Sequence, residues 1–250
     1  MNLTALTRMW WLVQQALRVL VHLRIAWMMV LTALVMLAGV SVLKEFNFGA
    51  EEQRFLRDYA EATTALWGTV TAIILNVSMI QGGVERGAWV LAFIRGAQRH
   101  EWLLSRWLAV GVALAWLTLL GYCVLGILLL QHGHAIPLRE LGAAGGRMFL
   151  RLVLVSSFTL LTCAASRGFL MASGLALGLT LAAQLASILE WAGRHSGATA
   201  GWCWRLLDRL VPSFQVLDAG TSAGHVLFYA TGYAVLYALL ACLIFERREI

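Results

Sequence analysis

Residues 107–130 read WLAVGVALAWLTLLGYCVLGILLL, a stretch of 24 consecutive positions without a charged side chain. A helix needs about 20 mainly apolar residues to cross the hydrocarbon core of a bilayer, so this stretch predicts a membrane-spanning helix. A surface helix of a soluble protein would carry a polar face, and none is present here. The stretch therefore places the chain among membrane proteins.

The composition of the whole chain agrees with that prediction. Of its 250 residues, 60% are hydrophobic and 13% are charged, and the mean hydropathy is +0.77. A soluble domain has about 25% charged residues, so lipid must cover part of this surface. The net charge of +6 comes almost wholly from arginine, since Lys44 is the only lysine. On so apolar a chain this charge favours the lipid bilayer as a partner, and no nucleic-acid site is predicted.

Five further apolar runs flank the first one, and together they predict six transmembrane helices. They cover residues 25–43, 65–80, 148–165, 169–189 and 226–245. The polar connections are residues 44–62, 81–106, 131–147, 166–168 and 190–225. The whole chain, residues 1–250, reads as a single polytopic transmembrane domain. Arginine and lysine divide almost equally between the two sides, so charge does not set the orientation.

The first 24 residues predict an amphipathic helix that lies in the headgroup plane. One helical stripe is polar and consists of Arg8, Trp11, Gln15, Arg18 and His22. The opposite stripe is apolar and consists of Leu6, Met9, Val13, Leu17 and Leu20. This division is typical of interfacial helices. The alternative is that residues 1–24 extend the first span into the cytoplasm.

Motifs of several enzyme and carrier classes are missing from the sequence. The lone Lys44 sits in SVLKEF, which is not the glycine loop of an ATP-binding P-loop, and neither GxSxG nor HExxH occurs. All six histidines lie in connections or at span ends, so no haem pair is predicted. Aspartate and glutamate are absent from the span interiors, which argues against an ion-driven carrier. We predict no catalytic residue, metal or cofactor in this chain.

Milder polar residues inside the spans have two interpretations. Asn76, Ser78, Thr180 and Gln184 could line a substrate path or could hydrogen-bond to neighbouring helices, and packing is favoured for each one singly. The series Gly174, Gly178, Ala182 and Ala186 places small residues along one helical face. Small residues allow two helices to approach closely in lipid. Both a contact within one subunit and a dimer contact remain open for this face.

The connection at residues 81–106 reads QGGVERGAWVLAFIRGAQRHEWLLSR and has four arginines. Its pattern predicts a short helix over 88–95, a break at Gly96, and a second helix that begins near Arg99 and continues into the third span. This density of arginine suits a cytoplasmic surface that docks a partner. The simpler alternative is a positive loop that anchors two helices.

This arrangement resembles the membrane subunits of type-two ABC exporters. In that family a Glu-x-Gly step after the second span is followed by a leucine-rich stretch, a turn often made by proline, and an Arg-x-Glu with a following basic residue. The matching positions here are Glu85, Gly87, Leu91, Arg99, Glu101, Leu103, Leu104 and Arg106, and Gly96 stands where proline is common. The segment LVPSFQVLD, with Pro212, Phe214 and Asp218, is similar to the family's outer segment before the last span. The ending FERREI is similar to its short basic tail.

The resemblance implies an all-α membrane protein with an N-terminal amphipathic elbow helix, six transmembrane helices and both termini in the cytoplasm. Residues 81–106 would then be the cytoplasmic coupling loop and residues 190–225 an outer segment. The residues implied in coupling are Glu85, Gly87, Arg95, Gly96, Arg99, Glu101 and Arg106. ATP and Mg would bind separate ABC ATPase subunits, and a second copy or a related permease would complete the path for a lipid, peptide or glycolipid. The implied location is the bacterial inner membrane. A non-transporting scaffold or assembly subunit is the alternative.

Overall fold

A computed structural model describes residues 3–22, 31, 35, 39, 52–85, 87–94, 96–131, 137–186, 211–218 and 223–247. These residues are helical apart from short turns, and no strand occurs among them. The helices are α1 (Leu3–His22), α2 (Glu52–Glu85), α3 (Ala88–Ile94), α4 (Arg99–Gln131), α5 (Leu138–Ala165), α6 (Phe169–Gln184), α7 (Gln215–Asp218) and α8 (Ala223–Arg247).

Four of these helices, α2, α4, α5 and α8, are long and apolar enough to cross a membrane. With 34 residues, α2 is about 50 Å long, while the hydrocarbon core is only about 30 Å thick. The prediction of an all-α protein with membrane-spanning helices is confirmed for the described residues. The described part of the predicted fifth span, α6, has 16 residues and is shorter than a full span. Except for positions 31, 35 and 39, the predicted first span lies outside the described residues.

The predicted connections 44–62 and 131–147 were too long. Helix α2 already begins at Glu52 and α5 at Leu138, so part of each connection is helical. Polar side chains do not by themselves end a helix. In α2 the Arg57 Nε lies 3.1 Å from Glu61 Oε1, an i, i+4 pair that supports a helical turn beyond the hydrocarbon core.

Helix α5 lies at the centre of the bundle and packs against α2, α4, α6 and α8. Its Phe158 is fully buried and meets the Tyr237 ring of α8 edge to face, with centroids 5.0 Å apart. The facing side of α8 is built from small residues, Ala230, Ala234, Ala238 and Ala241, all buried. Small residues at such a face allow the two helices to approach closely.

Helix α1 forms as predicted and packs mainly against α4. Its buried residues are Leu12, Val13, Ala16 and Leu20. Val13 and Leu20 belong to the predicted apolar stripe, whereas the predicted Met9 and Leu17 are only half-buried. The buried face is therefore rotated slightly from the predicted one, because α1 packs against another helix.

Candidate functional site

The segment that joins α2 to α4 is built around two glycines with positive φ. The φ angle is 64° at Gly87 and 77° at Gly96, a region that residues with a side chain adopt only at a cost. At the first of these glycines the chain leaves α2, and the Gly87 N–H donates to the Val84 carbonyl at 3.0 Å. The short helix α3 follows directly.

The carboxyl end of α3 is closed by a Schellman motif. The Gly96 N–H donates to the Phe93 carbonyl at 2.9 Å, and the Ala97 N–H donates to the Ala92 carbonyl at 3.1 Å. These bonds satisfy carbonyls that the helix end would otherwise leave unpaired. The break predicted at Gly96 and the helix start predicted near Arg99 are both observed. A glycine with positive φ makes the turn that proline often makes in the family that the loop resembles.

The amino end of α4 is capped by Glu101. Its Oε2 accepts a hydrogen bond from the Gln98 backbone N–H at 3.1 Å, which is the returning half of a capping box. Its Oε1 lies 3.8 Å from Nη2 of Arg8, and Nη1 of the same arginine donates to the Gly96 carbonyl at 2.9 Å. One arginine of α1 therefore links the amino-terminal helix to the turn between α3 and α4.

The carboxyl end of α8 reaches the same place. The His100 Nδ1 lies 3.0 Å from Glu246 Oε1, and Arg99 Nη1 donates to the Glu246 carbonyl at 3.3 Å. Next to this contact the rings of Phe245 and Trp102 stack with centroids 5.9 Å apart, and both side chains are fully buried. Both terminal segments and the loop thus meet at one end of the bundle, which we call the junction end.

Four of the seven residues predicted for coupling reach the surface of the junction end. Glu85 and Gly96 are exposed, and Gly87 and Arg99 are half-buried. A fifth, Arg95, lies outside the described residues. A partner that docks at this end would therefore meet Glu85 and Gly96 most readily.

The other two predicted coupling residues, Glu101 and Arg106, are buried. Glu101 caps α4 and meets Arg8, and the guanidinium of Arg106 lies 5.4 Å from the centroid of the Trp102 ring. Both side chains thus make contacts within this chain. Changing either one would alter the fold of the junction end, so neither is a clean probe of docking.

The outer face of α3 is apolar. Val90 and Ile94, one turn apart, are 40% and 76% exposed, while Ala92 is buried. Trp89 and Phe93 meet edge to face with centroids 5.3 Å apart and hold the helix against its neighbours. An exposed apolar face at a polar end of the molecule is a common mark of a binding surface.

A cavity of about 300 Å³ lies between α1 and α3. Its lining includes Arg8, Trp11 and Leu12 of α1, together with Ala92 and Ala97. Trp11, predicted on the polar stripe, is 43% exposed at this edge. The cavity extends the apolar surface of α3 toward the amino-terminal helix.

Two of the polar residues predicted inside the spans serve packing. Asn76 is fully buried, and its Nδ2 donates to Ser156 Oγ of α5 and to the Ala72 carbonyl, both at 2.8 Å. The buried hydroxyl of Thr180 donates to the Ala176 carbonyl within its own helix. These contacts favour packing over a path through a single copy of the chain.

The remaining two polar residues are more accessible. Ser78 is half-buried and its hydroxyl donates to the Leu75 carbonyl at 3.0 Å, whereas Gln184 is exposed. Only Gln184 therefore presents its side chain to the outside of the described chain.

Gln81, at the start of the loop, has a role that sequence reasoning missed. Its buried Nε2 donates to the Cys163 and Ser166 carbonyls, both at 3.0 Å, and so caps the carboxyl end of α5. The only signal in the sequence was a polar amide at the end of an apolar run. Its partners lie more than 80 positions away, which no local pattern reveals.

The small-residue series on α6 points partly outward. Gly174 and Gly178 are exposed, and no described atom lies within 4 Å of a Cβ built at either position. Ala182 is half-buried and Ala186 is buried. The first half of this face is thus left uncovered by the described part of the chain.

Comparison with known proteins does not assign the chain to a family. No family model matches the sequence, and no curated protein matches it. The likeness to type-two ABC exporter subunits therefore rests on the residues of the 81–106 loop, the 212–218 segment, the two ends of the chain and the helical architecture.

Proposed function

We propose that this chain is the transmembrane permease subunit of an ATP-driven exporter whose ATPase is encoded separately. The observation that supports this most is the junction end. There a short helix with an exposed apolar face is held between two spans and linked to both ends of the chain. Such a surface suits a partner that pushes on the membrane helices from outside the bilayer.

The contacts at the junction end suit the transmission of force. Because α3 is joined covalently to α2 and α4, a load on α3 displaces the ends of both spans. Arg8 extends the linkage to α1, and Glu246 extends it to α8. Packed helices respond to such loads by discrete rigid-body shifts. Closure of the ATPase subunits on ATP and Mg would then switch the path between inward and outward access.

The proposed assembly has six spans, with both termini in the cytoplasm of a bacterial cell and the chain in its inner membrane. The spans are the four long helices together with residues 25–43 and 169–189, and α1 is the interfacial elbow. A second copy or a related permease completes the substrate path. The uncovered Gly174 and Gly178 support a close contact with that second subunit.

Site-specific cross-linking tests where the ATPase docks. A photo-reactive benzoylphenylalanine at position 94 should cross-link to an ATPase subunit in native membranes, because Ile94 is 76% exposed on α3. The matched control is position 138 at the opposite end of the bundle, where Leu138 is 85% exposed. Cross-links from position 94 to lipid alone would contradict docking and would place α3 in the headgroup layer. A captured partner without a P-loop would favour the scaffold alternative.

A further inference from the structure

The end of the bundle opposite the junction end contains a cavity of about 750 Å³. It lies between α2, α4 and α5, and its volume falls within the range of about 300–1,000 Å³ that ligand sites usually have. The charged residues in its lining are Arg54, Arg57, Asp58, Glu61, Arg147 and Arg151. Nothing in the proposed ATPase docking uses this cavity.

Positive charge is in excess in this cavity, with four arginines against two carboxylates. Arg57 is paired with Glu61 at 3.1 Å, and the guanidinium of Arg151 lies 4.8 Å from the centroid of the Phe214 ring. Neither Arg54 nor Arg147 has an ion-pair partner among the residues that the structure describes. A concave site with excess charge of one sign attracts ions of the opposite sign.

An apolar groove of about 390 Å³ lies between α4 and α5, beside the charged cavity. Its walls include Leu119, Leu141 and Phe149, and glycines such as Gly146 leave it open. Tyr122 lines both spaces, and a narrow cavity that includes Arg57, Tyr122 and Leu141 lies between them. The protein thus places a cationic pocket next to an apolar channel.

We propose that the cavity and the groove together bind one anionic amphiphile. Its phosphate or carboxylate lies between Arg54 and Arg147, and its hydrocarbon chain lies along the groove. The planar guanidinium of arginine matches both anions with two parallel hydrogen bonds. A small soluble anion would use the cavity alone, so the adjoining groove is the reason to assign a lipid. The site does not depend on the ATPase, and it can be tested on the isolated chain.

The headgroup contact is tested by lipid binding to the purified full chain in micelles. Phosphatidylglycerol should bind more tightly than phosphatidylcholine, and Arg54→Gln with Arg147→Gln should raise its Kd about a hundredfold, roughly tenfold for each charge-assisted hydrogen bond lost. The control carries Arg139→Gln and Arg167→Gln, which remove the same charge from exposed positions outside the cavity. Arg147→Lys alone keeps the charge and should retain most of the binding.

The chain contact is tested by filling the groove. Gly146 lines the groove, and no described atom lies within 4 Å of a Cβ built there, so Gly146→Leu should occupy the groove without distorting the helix. We expect phosphatidylglycerol affinity to fall about tenfold, while binding of inorganic phosphate, if any, stays unchanged. Gly111→Leu is the control, because Gly111 also has an open Cβ position but lies outside the groove.

Several results would overturn the proposal. Equal binding of the two phospholipids would remove the anion preference, and equal losses in the cavity and control doubles would reduce the effect to net charge. Displacement of the lipid by millimolar inorganic phosphate would show that a free anion is the ligand. If the cavity double fails to fold, the single change Arg54→Gln at an exposed position must still weaken phosphatidylglycerol binding.

Discussion

Gly96→Ala tests the turn that positions α3 at the junction end. The φ angle of 77° lies in the left-handed region, which costs a residue with a side chain about 1–2 kcal/mol. A Cβ at this position meets nothing closer than Arg8 Nη1 at 3.9 Å, so the cost is conformational and not steric. Alanine also restricts the unfolded chain, which offsets about 0.4–1 kcal/mol. We therefore expect the free energy of unfolding to fall by about 1 kcal/mol.

The matched control is Gly111→Ala in the middle of α4, where the backbone is helical and the Cβ position is open. The same entropic effect should raise its free energy of unfolding by about 0.4–1 kcal/mol. Chemical unfolding in micelles measures both variants. Hydrogen exchange adds a local readout, since the Ala97 amide donates to the Ala92 carbonyl and should exchange about fivefold faster after Gly96→Ala.

Proline at the same position separates this turn from the one common in the resembled family. Gly96→Pro fixes φ near −65° and removes the N–H that donates to Phe93, so it should destabilise the chain more than alanine does. Shifts of the same sign in the Gly96→Ala and Gly111→Ala variants would refute the strain argument. A proline variant as stable as the unchanged chain would show that the turn adopts the family geometry.

Two further changes test the buried contacts that hold the loop. Gln81→Leu leaves the Cys163 and Ser166 carbonyls without their donor and should cost about 1–3 kcal/mol in chemical unfolding, whereas Gln98→Leu at an exposed side chain should stay within about 0.5 kcal/mol; equal losses would contradict the capping role. Trp102→Ala removes a fully buried ring and should cost about 3–5 kcal/mol, far more than Trp116→Ala at a side chain that is 56% exposed. A Trp102 variant that unfolds at the original denaturant concentration would mean that the junction end is loosely packed.

The membrane helices were predictable because hydrophobic length is a local property. The charge-free run at 107–130 lies wholly within α4, and three other predicted spans lie within α2, α5 and α8. Their ends were not predictable from polarity, since Arg57 and Glu61 continue α2 beyond the apolar run. A polar turn ends a span, yet it does not end a helix.

The local shape of the loop was also predictable, because glycine and the following polar residues interrupt an apolar helix. Its fastening was not. The partners Arg8 and Gly96 are 88 positions apart, and His100 and Glu246 are 146 apart. Sequence spacing shows neighbours within one helix, whereas these pairs depend on how α1 and α8 pack beside α4. For the same reason Glu101 looked like a surface charge although it caps its own helix.

The charged cavity left a weak signal in the sequence. Arg54 and Arg57 are three residues apart, and Arg147 and Arg151 are four apart, so each pair shares a helical face. Sequence reasoning assigned three of these arginines to connections and treated Arg151 as a side chain that reaches toward the headgroups. Only the packing of α2 against α5 shows that the two faces meet around one cavity.

The central claim is that an ATPase acts on this chain through α3, and ATP hydrolysis by the purified complex measures it most directly. Ile94→Asp places a carboxylate in the proposed interface, where an unpaired buried charge costs about 2–5 kcal/mol. Leu138→Asp introduces the same charge at the opposite end of the bundle. The account predicts that a P-loop ATPase co-purifies with the tagged chain, and that its stimulated hydrolysis is lost with Ile94→Asp and kept with Leu138→Asp. Stimulated hydrolysis that is equal in both variants, or a chain that purifies without any P-loop subunit, would contradict it.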